Sequence, residues 1–514
     1  MIKYAKILVS ACSLLCVLSS ASAIAEQTPD KPNVVIFYVD DLGWGDLSSY
    51  GAHRVQTPHV DKLAKNGIRF TDAHSSSATC TPSRYSLLTG EHGFRRNAQI
   101  LKGDAPLLIG TEQATLPKML KKAGYMNAVV GKWHLGLGDG KQAVDWNGKV
   151  KPGPLEIGFD YSFLIPATGD RVPTVYLENH QVVNLTPDDP LSVNYKQKIG
   201  NRPTGYENPE LLKQGADRQH DKSIINGISR IGWMKGGKSA EWRDEDFPFV
   251  TTEKANQFIS QHQKQPFFLF FSFHDIHVPR VPHKMFQGST EMGVRGDAIV
   301  QMDWITGQVV NHLESLNLLD NTLIIFTSDN GAVMFDGYHD EAFSKQGSHK
   351  QNGPFKGGKY SAYEAGTRVP FIVHYPAKVE PGISSALMSQ MDIYASIAVL
   401  LGQPLAKTEA IDSQDHLSAL FNATSLGREF LIAETPHTRA LRYQDWKYIR
   451  PTAKKKPSLE TLKKIASGVQ KTPQLYNLSA DISESVNLAN ELPQKVQFLE
   501  RKMRQIEQQT ERYK

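Results

Sequence analysis

The sequence predicts an α/β fold: a mostly parallel central sheet flanked by helices, followed by a smaller C-terminal α+β subdomain with an antiparallel sheet. Three observations carry this. Short apolar runs recur between Asn33 and Val373, the pattern of strands buried on both faces. Helix-like stretches with start and stop signals lie between them, as alternating strand and helix units require. Near residue 405 the texture changes to short β-like runs.

The apolar runs are Asn33–Val39 (NVVIFYV), Phe267–Phe273 (FFLFFSF), Leu323–Phe326 (LIIF) and Phe371–Val373 (FIV), with Met126–Val130 a weaker fifth; all are read as parallel strands. A helix is expected over Pro58–Asn66, with Thr57 as N-cap and Gly67 as its stop, and another over Leu116–Ala123, between Thr115 and Gly124. Asp297–Asn317 has helical apolar spacing. Residues 150–250 are rich in Pro, Gly, Asn and charge and read as an irregular insertion over the active face. Glu429–Thr435, Arg439–Tyr443 and Trp446–Arg450 read as strands, the last two joined at Gln444-Asp445. Val496, Leu499, Met503 and Ile506 fall on one side of a final charged helix. The expected boundaries are 1–25 for an export signal, 26–404 for the main domain and 405–514 for the C-terminal subdomain.

The chain has 514 residues, of which 40% are hydrophobic and 22% charged, so it can bury a core without staples. A net charge of +5 is too small for a nucleic-acid binder. Met1–Ala25 reads as a secretory signal: Lys3 and Lys6, an apolar run from Ile7 to Leu18, then small residues that place cleavage near Ala23 or Ala25. Its apolar run is too short to span a bilayer, and no later segment is long enough either. A lipobox reading at Val9-Ser10-Ala11-Cys12 is the lesser alternative. The expected compartment is therefore the periplasm or the exterior. Cys12 and Cys16 leave with the signal, and Cys80 becomes the one cysteine of an exported chain, unable to form an internal disulfide.

In open α/β sheets ligands bind beyond the carboxyl ends of the strands. After Val39 comes Asp40-Asp41; after Val130, Gly131-Lys132-Trp133-His134; after Phe273, His274-Asp275-Ile276-His277; after Ser328, Asp329-Asn330. An Asp at a strand end is by itself more often a turn or cap residue, and a lone His more often a structural group. Four strands delivering such groups to one edge point to chemistry. Asp40, Asp41, Asp329 and Asn330 offer only hard oxygen ligands, which suits Ca²⁺ or Mg²⁺ rather than zinc. Lys132, His134, His277 and Lys359 (in GGKYSAYEAG) surround them with positive donors, and a cation ringed by basic side chains is an oxyanion site suited to phosphate or sulfate esters. Cys80 stands at or just before the start of a helix, in TCTPSR. A thiolate is mismatched with a hard cation, so the site wants an oxygen nucleophile where the chain has sulfur.

The segment C-T-P-S-R resembles the C-x-P-x-R signature of the type I, formylglycine-dependent sulfatases of the alkaline phosphatase-like superfamily. NVVIFYVDDLGWGD, GKWHLG, the His277-Val-Pro step, TSDNG and GGKYSAYEAGTRVP occur in the family order, and RALRYQDWKYI and QLYNLSAD resemble its second subdomain. The resemblance implies that Asp40, Asp41, Asp329 and Asn330 bind one Ca²⁺, with residue 80 completing the shell after a maturation enzyme has oxidised Cys80 to formylglycine (3-oxoalanine). It implies that Arg84 holds residue 80 and its helix, that Lys132 and Lys359 neutralise sulfate oxygens, and that His277 or Lys359 protonates the leaving oxygen. One hydroxyl of the hydrated formylglycine would attack sulfur, and His134 would take the proton of the other. Glu91 departs from the pattern, since many relatives carry Arg directly after LLTG; here Arg95 and Arg96 come next instead. The expected substrate is a sulfate ester on a carbohydrate, with Arg171 (beside Asp170), Arg280 and His339 as candidate sugar contacts. The alternatives are a phosphonate or phosphate ester hydrolase of the same superfamily and a non-catalytic glycan-binding homologue.

Overall fold

The computed structural model describes residues 31–453 and 463–512; the expected signal segment, 1–25, lies outside them. From Pro32 onward the chain forms one compact unit. Its centre is a ten-stranded sheet whose order runs Gly382–Ser384, Ile68–Phe70, Phe371–His374, Thr322–Ser328, Asn33–Val39, Phe267–Ser272, Met126–Lys132, Tyr161–Ile165, Leu177–Glu178 and Gln181–Val182. The five strands from Thr322–Ser328 to Tyr161–Ile165 are parallel. They read as continuous apolar runs because both sheet faces are covered. Along Asn33–Val39, Val34, Ile36 and Tyr38 enter one core while Val35, Phe37 and Val39 enter the other.

Two readings of the sequence are corrected. Phe371–His374 pairs antiparallel with Thr322–Ser328, not parallel. A central apolar run has no direction of its own; direction comes from the connection, and here residues 329–370 stay at the edge where Thr322–Ser328 ends, so Phe371 starts opposite Thr327 and the strand runs back. The 150–250 region is not wholly an insertion, because Tyr161–Ile165 is a parallel strand of the main sheet and a helix begins at Phe247. That strand is only five residues long, YSFLI, and opens with a Tyr and a Ser. Leu177–Glu178 and Gln181–Val182 extend that sheet, and short two-stranded pieces follow, among them Ile224–Ile225 with Ile228–Ser229 and Ser192–Asn194 with Trp233–Lys235.

The helices fall close to expectation. Pro58–Lys65 starts with Pro at its first position, but Thr57 does not cap it by side chain; its Oγ1 accepts from the Ser48 amide instead. Thr115 does cap Leu116–Lys122, accepting from the Lys118 amide at 3.3 Å. The helix expected from Asp297 begins earlier, at Gly293, and ends at Ser315.

The C-terminal sheet is antiparallel and four-stranded: Phe430–Glu434, Arg439–Tyr443, Trp446–Ile449 and Gln474–Asn477. One face packs on the last helix, Pro493–Gln508, through Leu499, Met503 and Ile506. The other packs on Ala362 and Tyr363, just past Lys359. Its first strand also bonds the chain ahead of Cys80: Ala78 N donates to Glu434 O at 2.8 Å, and Glu434 N to Ser76 O at 3.0 Å. The small sheet therefore braces two segments that reach the functional edge.

A buried ionic cluster fastens the same joint. Glu364 accepts from Arg442 Nη1 (2.7 Å) and Lys447 Nζ (2.9 Å), both on the small sheet, and from Arg368 Nη1 (3.2 Å). Burial opposes its ionisation, yet Arg442, Lys447, His74 and Arg368 outweigh burial and hold the carboxyl well below its ordinary value. Removing one partner of a buried pair leaves uncompensated charge, at a cost of about 3–5 kcal/mol. Glu364→Gln is therefore expected to lower the melting temperature at neutral pH. Because the folded-state pKa is depressed, that stabilisation is fully present above pH 4.5 and fades as pH falls below it. Equal melting of variant and parent at pH 7 would contradict the role given to this cluster.

Candidate active site

The parallel strands end at one edge, where the residues just past each strand meet. Asp40 and Asp41 come after Asn33–Val39, Lys132 ends Met126–Lys132, His274 and His277 come after Phe267–Ser272, and Asp329 and Asn330 come after Thr322–Ser328. All are buried. The approach is close enough to demand glycine at one point: Gly131 has φ +105°, and a Cβ there would lie 2.0 Å from the Ser272 carbonyl oxygen. That contact sets Lys132 beside the neighbouring strand.

Cys80 is the first residue of a fully buried helix, Cys80–Thr89. The free amides at that helix start favour negative charge. Arg84, one turn on, reaches across the strand ends. Its Nε and Nη2 donate to Asp329 Oδ2 at 3.0 and 2.7 Å, and its Nη1 donates to the Lys132 carbonyl at 3.2 Å and to Ser272 Oγ. One guanidinium thus ties the Cys80 helix to three strands.

Carboxyl oxygens of Asp40, Asp41 and Asp329 come within 4.8 Å of one another, and Asp40, Cys80 and His277 make a second such group. Burial and the charge of Asp40 push Asp329 up to about 7. Asp40 itself resists burial because Lys132, His277 and Arg84 hold it well below the usual range. Crowded buried carboxyls separate in this way when too little positive charge lies between them. Asn330 Nδ2 donates to Asp41 Oδ1 at 2.7 Å, which turns its own Oδ1 the other way. Asn330 Oδ1 and Asp40 Oδ1 are buried with no hydrogen-bond partner among the described residues. Hard oxygens lacking partners, in a surplus of carboxylate, fit a hard divalent cation.

The cations ring this centre. Lys132 Nζ pairs with Asp40 Oδ2, and Lys359 Nζ bridges Asp41 Oδ2 and Asp336 Oδ2 at 2.9 Å each. Two histidines have their tautomers set by backbone carbonyls. His134 Nε2 lies 3.0 Å from Leu101 O, so it carries the proton and leaves Nδ1 as acceptor, without a partner among the described residues. Burial and the charge of Lys132 hold His134 well below the ordinary histidine value, which keeps it neutral. His134 also sits at φ +56°, a left-handed conformation that Thr81 Oγ1 secures by donating to its carbonyl at 3.0 Å. His277 Nδ1 donates to Val278 O at 2.6 Å, leaving Nε2 facing Asp41 Oδ2 at 3.9 Å. Burial pushes the Cys80 thiol up to about 11, so sulfur is a poor nucleophile here at neutral pH.

The sulfatase family model matches residues 32–403 of the chain. The chain belongs to the sulfatase family. It is similar, at 52% identity over 92% of each chain, to the N-acetylgalactosamine-6-O-sulfatase of Bacteroides thetaiotaomicron. A solved structure from work on the metabolism of multiple glycosaminoglycans by that organism superposes with a TM-score of 0.91 at 51% identity, covering 93% of this chain and all of that one. The N-acetylgalactosamine-6-sulfatase of Rattus norvegicus is 31% identical over 81% of this chain and 70% of its own. The enzyme is a sulfuric ester hydrolase, and the edge where the parallel strands end is the part of the sulfatase that carries the family motifs.

Around the mouth of the site, the three residues considered for sugar contact fare differently. Arg171 is half-buried beside the centre, its Nη1 donating to Asp170 Oδ1 and Oδ2 at 2.7 and 2.8 Å. Arg280 is fully buried and spends its donors on Ile276 O, Val333 O, Met334 O and Asp340 Oδ2. Four of its five N–H donors thus brace the loop after His277, which gives this buried side chain a structural role in place of the expected sugar contact. His339 is exposed, its ring tilted 42° against Phe335, and paired through its backbone with Gly215. Sequence reasoning missed His220, whose Nδ1 and Nε2 lie 2.7 Å from Asp217 Oδ1 and 3.3 Å from Asp170 Oδ2. It also missed Asp336, the second partner of Lys359. Neither stands in a motif or at a strand end, so no local signal marked them.

If the carboxylates hold a cation, its removal must register in stability. Millimolar calcium is expected to raise the melting temperature of EDTA-treated protein by a few degrees, and Asp40→Asn to abolish most of that rise. Identical melting with and without calcium would show that the acid cluster is not a cation site.

Proposed function

We propose that this sulfatase is an exported enzyme that hydrolyses the 6-O-sulfate ester of N-acetylgalactosamine in a sulfated glycan, using Ca²⁺ and a formylglycine made from Cys80. The observation that carries the substrate is the 52% identity, spread over 92% of both chains, to an N-acetylgalactosamine-6-O-sulfatase. The chemistry rests on the site. Asp40, Asp41, Asp329 and Asn330 would hold the metal, which supplies positive charge for an oxyanion and for the oxygen nucleophile at residue 80. A cysteine at the start of the helix, among hard oxygens and with its thiol held protonated, fits a precursor better than a finished nucleophile.

The chain's own groups divide the remaining work. Lys132 and Lys359, both buried, face the acidic centre and suit the offsetting of sulfate oxygens. Burial opposes the charge of Lys359, but Asp41 outweighs it and holds the ammonium well above the ordinary lysine value, which suits a fixed positive charge facing sulfate. His277 presents Nε2 as an acceptor at its tautomer, which suits a hydroxyl or a proton in transit. His134, neutral, with Nδ1 unprotonated and its carbonyl bonded by Thr81 next to residue 80, is the candidate base. Arg84 orients the helix that carries residue 80. Asp170, Arg171 and His220 form a hydrogen-bonded set next to this centre and suit recognition of sugar hydroxyls.

A panel of sulfated monosaccharides tests the assignment on matured protein. Sulfate release from the 6-O-sulfate of N-acetylgalactosamine should exceed release from its 4-O-sulfate by at least about 100-fold in kcat/KM, the scale of losing one or two well-made polar contacts. Comparable rates on both positions would overturn the regiochemistry. Arg171→Ala should raise KM for the sulfated sugar more than for an aryl sulfate, since only the sugar extends past the sulfate group. Equal effects would remove Arg171 from sugar recognition.

A further inference from the structure

We propose that Lys463, delivered by the C-terminal part of the chain, is a specificity residue that binds a second anionic group of the substrate: a carboxylate or sulfate on the sugar joined to the one that loses its sulfate. The inference rests on the glycan-sulfatase reading and extends it to the neighbouring sugar.

The placement comes from the joint between the two sheets. The Lys359 loop is strapped to the segment after Lys463: Ser361 Oγ donates to Ala466 O at 2.6 Å, and Ala362 N donates to Ser467 O at 2.9 Å. The strap brings the Lys463 ammonium over the Tyr360 ring, 4.8 Å from its centroid, and against Asp336 Oδ1. The other oxygen of Asp336 takes Lys359 at 2.9 Å, and the Tyr360 hydroxyl donates to the same carboxylate at 3.0 Å. Lys463 is thus one carboxylate away from the lysine that faces the sulfate, beside the sulfate site and not in it.

Lys463 shares the Asp336 carboxylate with Lys359, which is held by Asp41 as well. The Lys463 side chain is 15% exposed, so it has given up most of its water while keeping a path to solvent and ligand. Its ammonium has three N–H donors, of which Asp336 needs one. Burial lowers this ammonium to about 8, against the charges of Asp41, Asp217 and Asp170 and with the help of Arg171. Those acids are already engaged: Asp41 by Lys359, Asp170 by Arg171 and Asp217 by His220. A partly dehydrated ammonium at the rim, with its acidic neighbours otherwise paired, recovers its lost hydration best from an incoming anion. A neutral sugar hydroxyl recovers less.

The test compares two ligands that share the sulfated sugar, one attached to a uronate and the other to a methyl group. In matured wild type the uronate disaccharide should show a KM about tenfold lower than the methyl glycoside. In Lys463→Met that ratio should collapse to within about twofold, with kcat for both preserved. Lys463→Arg should restore most of it, and raising salt should erode the wild-type ratio but not that of the Met variant. Equal loss on both ligands, or an unchanged ratio, would overturn the proposal and leave Lys463 a structural partner of Asp336. Binding of the two ligands to the unmatured protein reads the same ratio without turnover. A chain that prefers the uronate ligand yet releases no sulfate after maturation would count against the sulfatase substrate alone.

Discussion

The ion pair between Arg84 and Asp329 is the contact on which the rest of the edge depends. Both side chains are fully buried, and a charge in such a place survives only if it is paired and hydrogen-bonded. Arg84 meets that demand by spreading its donors over Asp329, the Lys132 carbonyl and Ser272, three separate strands. The helix that starts at Cys80 is thereby pinned where the acids of two strands converge. The same guanidinium lies 5.3 Å from the Tyr38 ring centroid, on the strand that leads into Asp40. A shift of this helix would misplace residue 80 against its neighbours and strand a buried carboxylate at once. Fold stability and site geometry therefore rest on one constraint.

Charge compensation explains the arrangement beyond this pair. The edge gathers Asp40, Asp41, Asp329 and Asp336 and answers them with Arg84, Lys132 and Lys359, all buried. The small net charge of +5 conceals two opposed clusters, an acid cradle and a basic ring. The C-terminal sheet supplies mechanical support of the same kind. Glu364, five residues after Lys359, is held by Arg442 and Lys447 of that sheet, while Glu434 grips the backbone ahead of Cys80. The small sheet is thus part of the active edge's scaffold, which gives the sulfatase a reason to keep it in one compact unit with the large one.

Much of this was legible in the sequence, for identifiable physical reasons. Parallel strands covered on both faces leave unmistakable apolar runs, and the residues just past each run sit at a known edge, so Asp40, Lys132, His277 and Asp329 could be gathered without coordinates. Direction and pairing were not legible. Phe371–His374 turned out antiparallel, and Tyr161–Ile165 was hidden because it lies inside the stretch 150–250, where Pro, Gly, Asn and charge mask one short apolar run. Residues whose roles arise from tertiary approach were also out of reach. Arg280 is a candidate sugar contact in the sequence, yet the folded loop and its neighbours supply acceptors for four of its five N–H donors. Asp336, His220 and Lys463 carry no spacing signature, and only the folded chain shows them around Lys359 and Asp170.

The central claim is that sulfate release depends on replacing the Cys80 sulfur by oxygen inside this acid cradle. It is tested most directly by preparing the protein with graded extents of maturation and measuring, on each sample, the fraction of residue 80 converted, by peptide mass spectrometry, and the rate of sulfate release. Activity proportional to the converted fraction, extrapolating to zero for the intact thiol, is the predicted result. Full activity in protein whose Cys80 remains a thiol would contradict it.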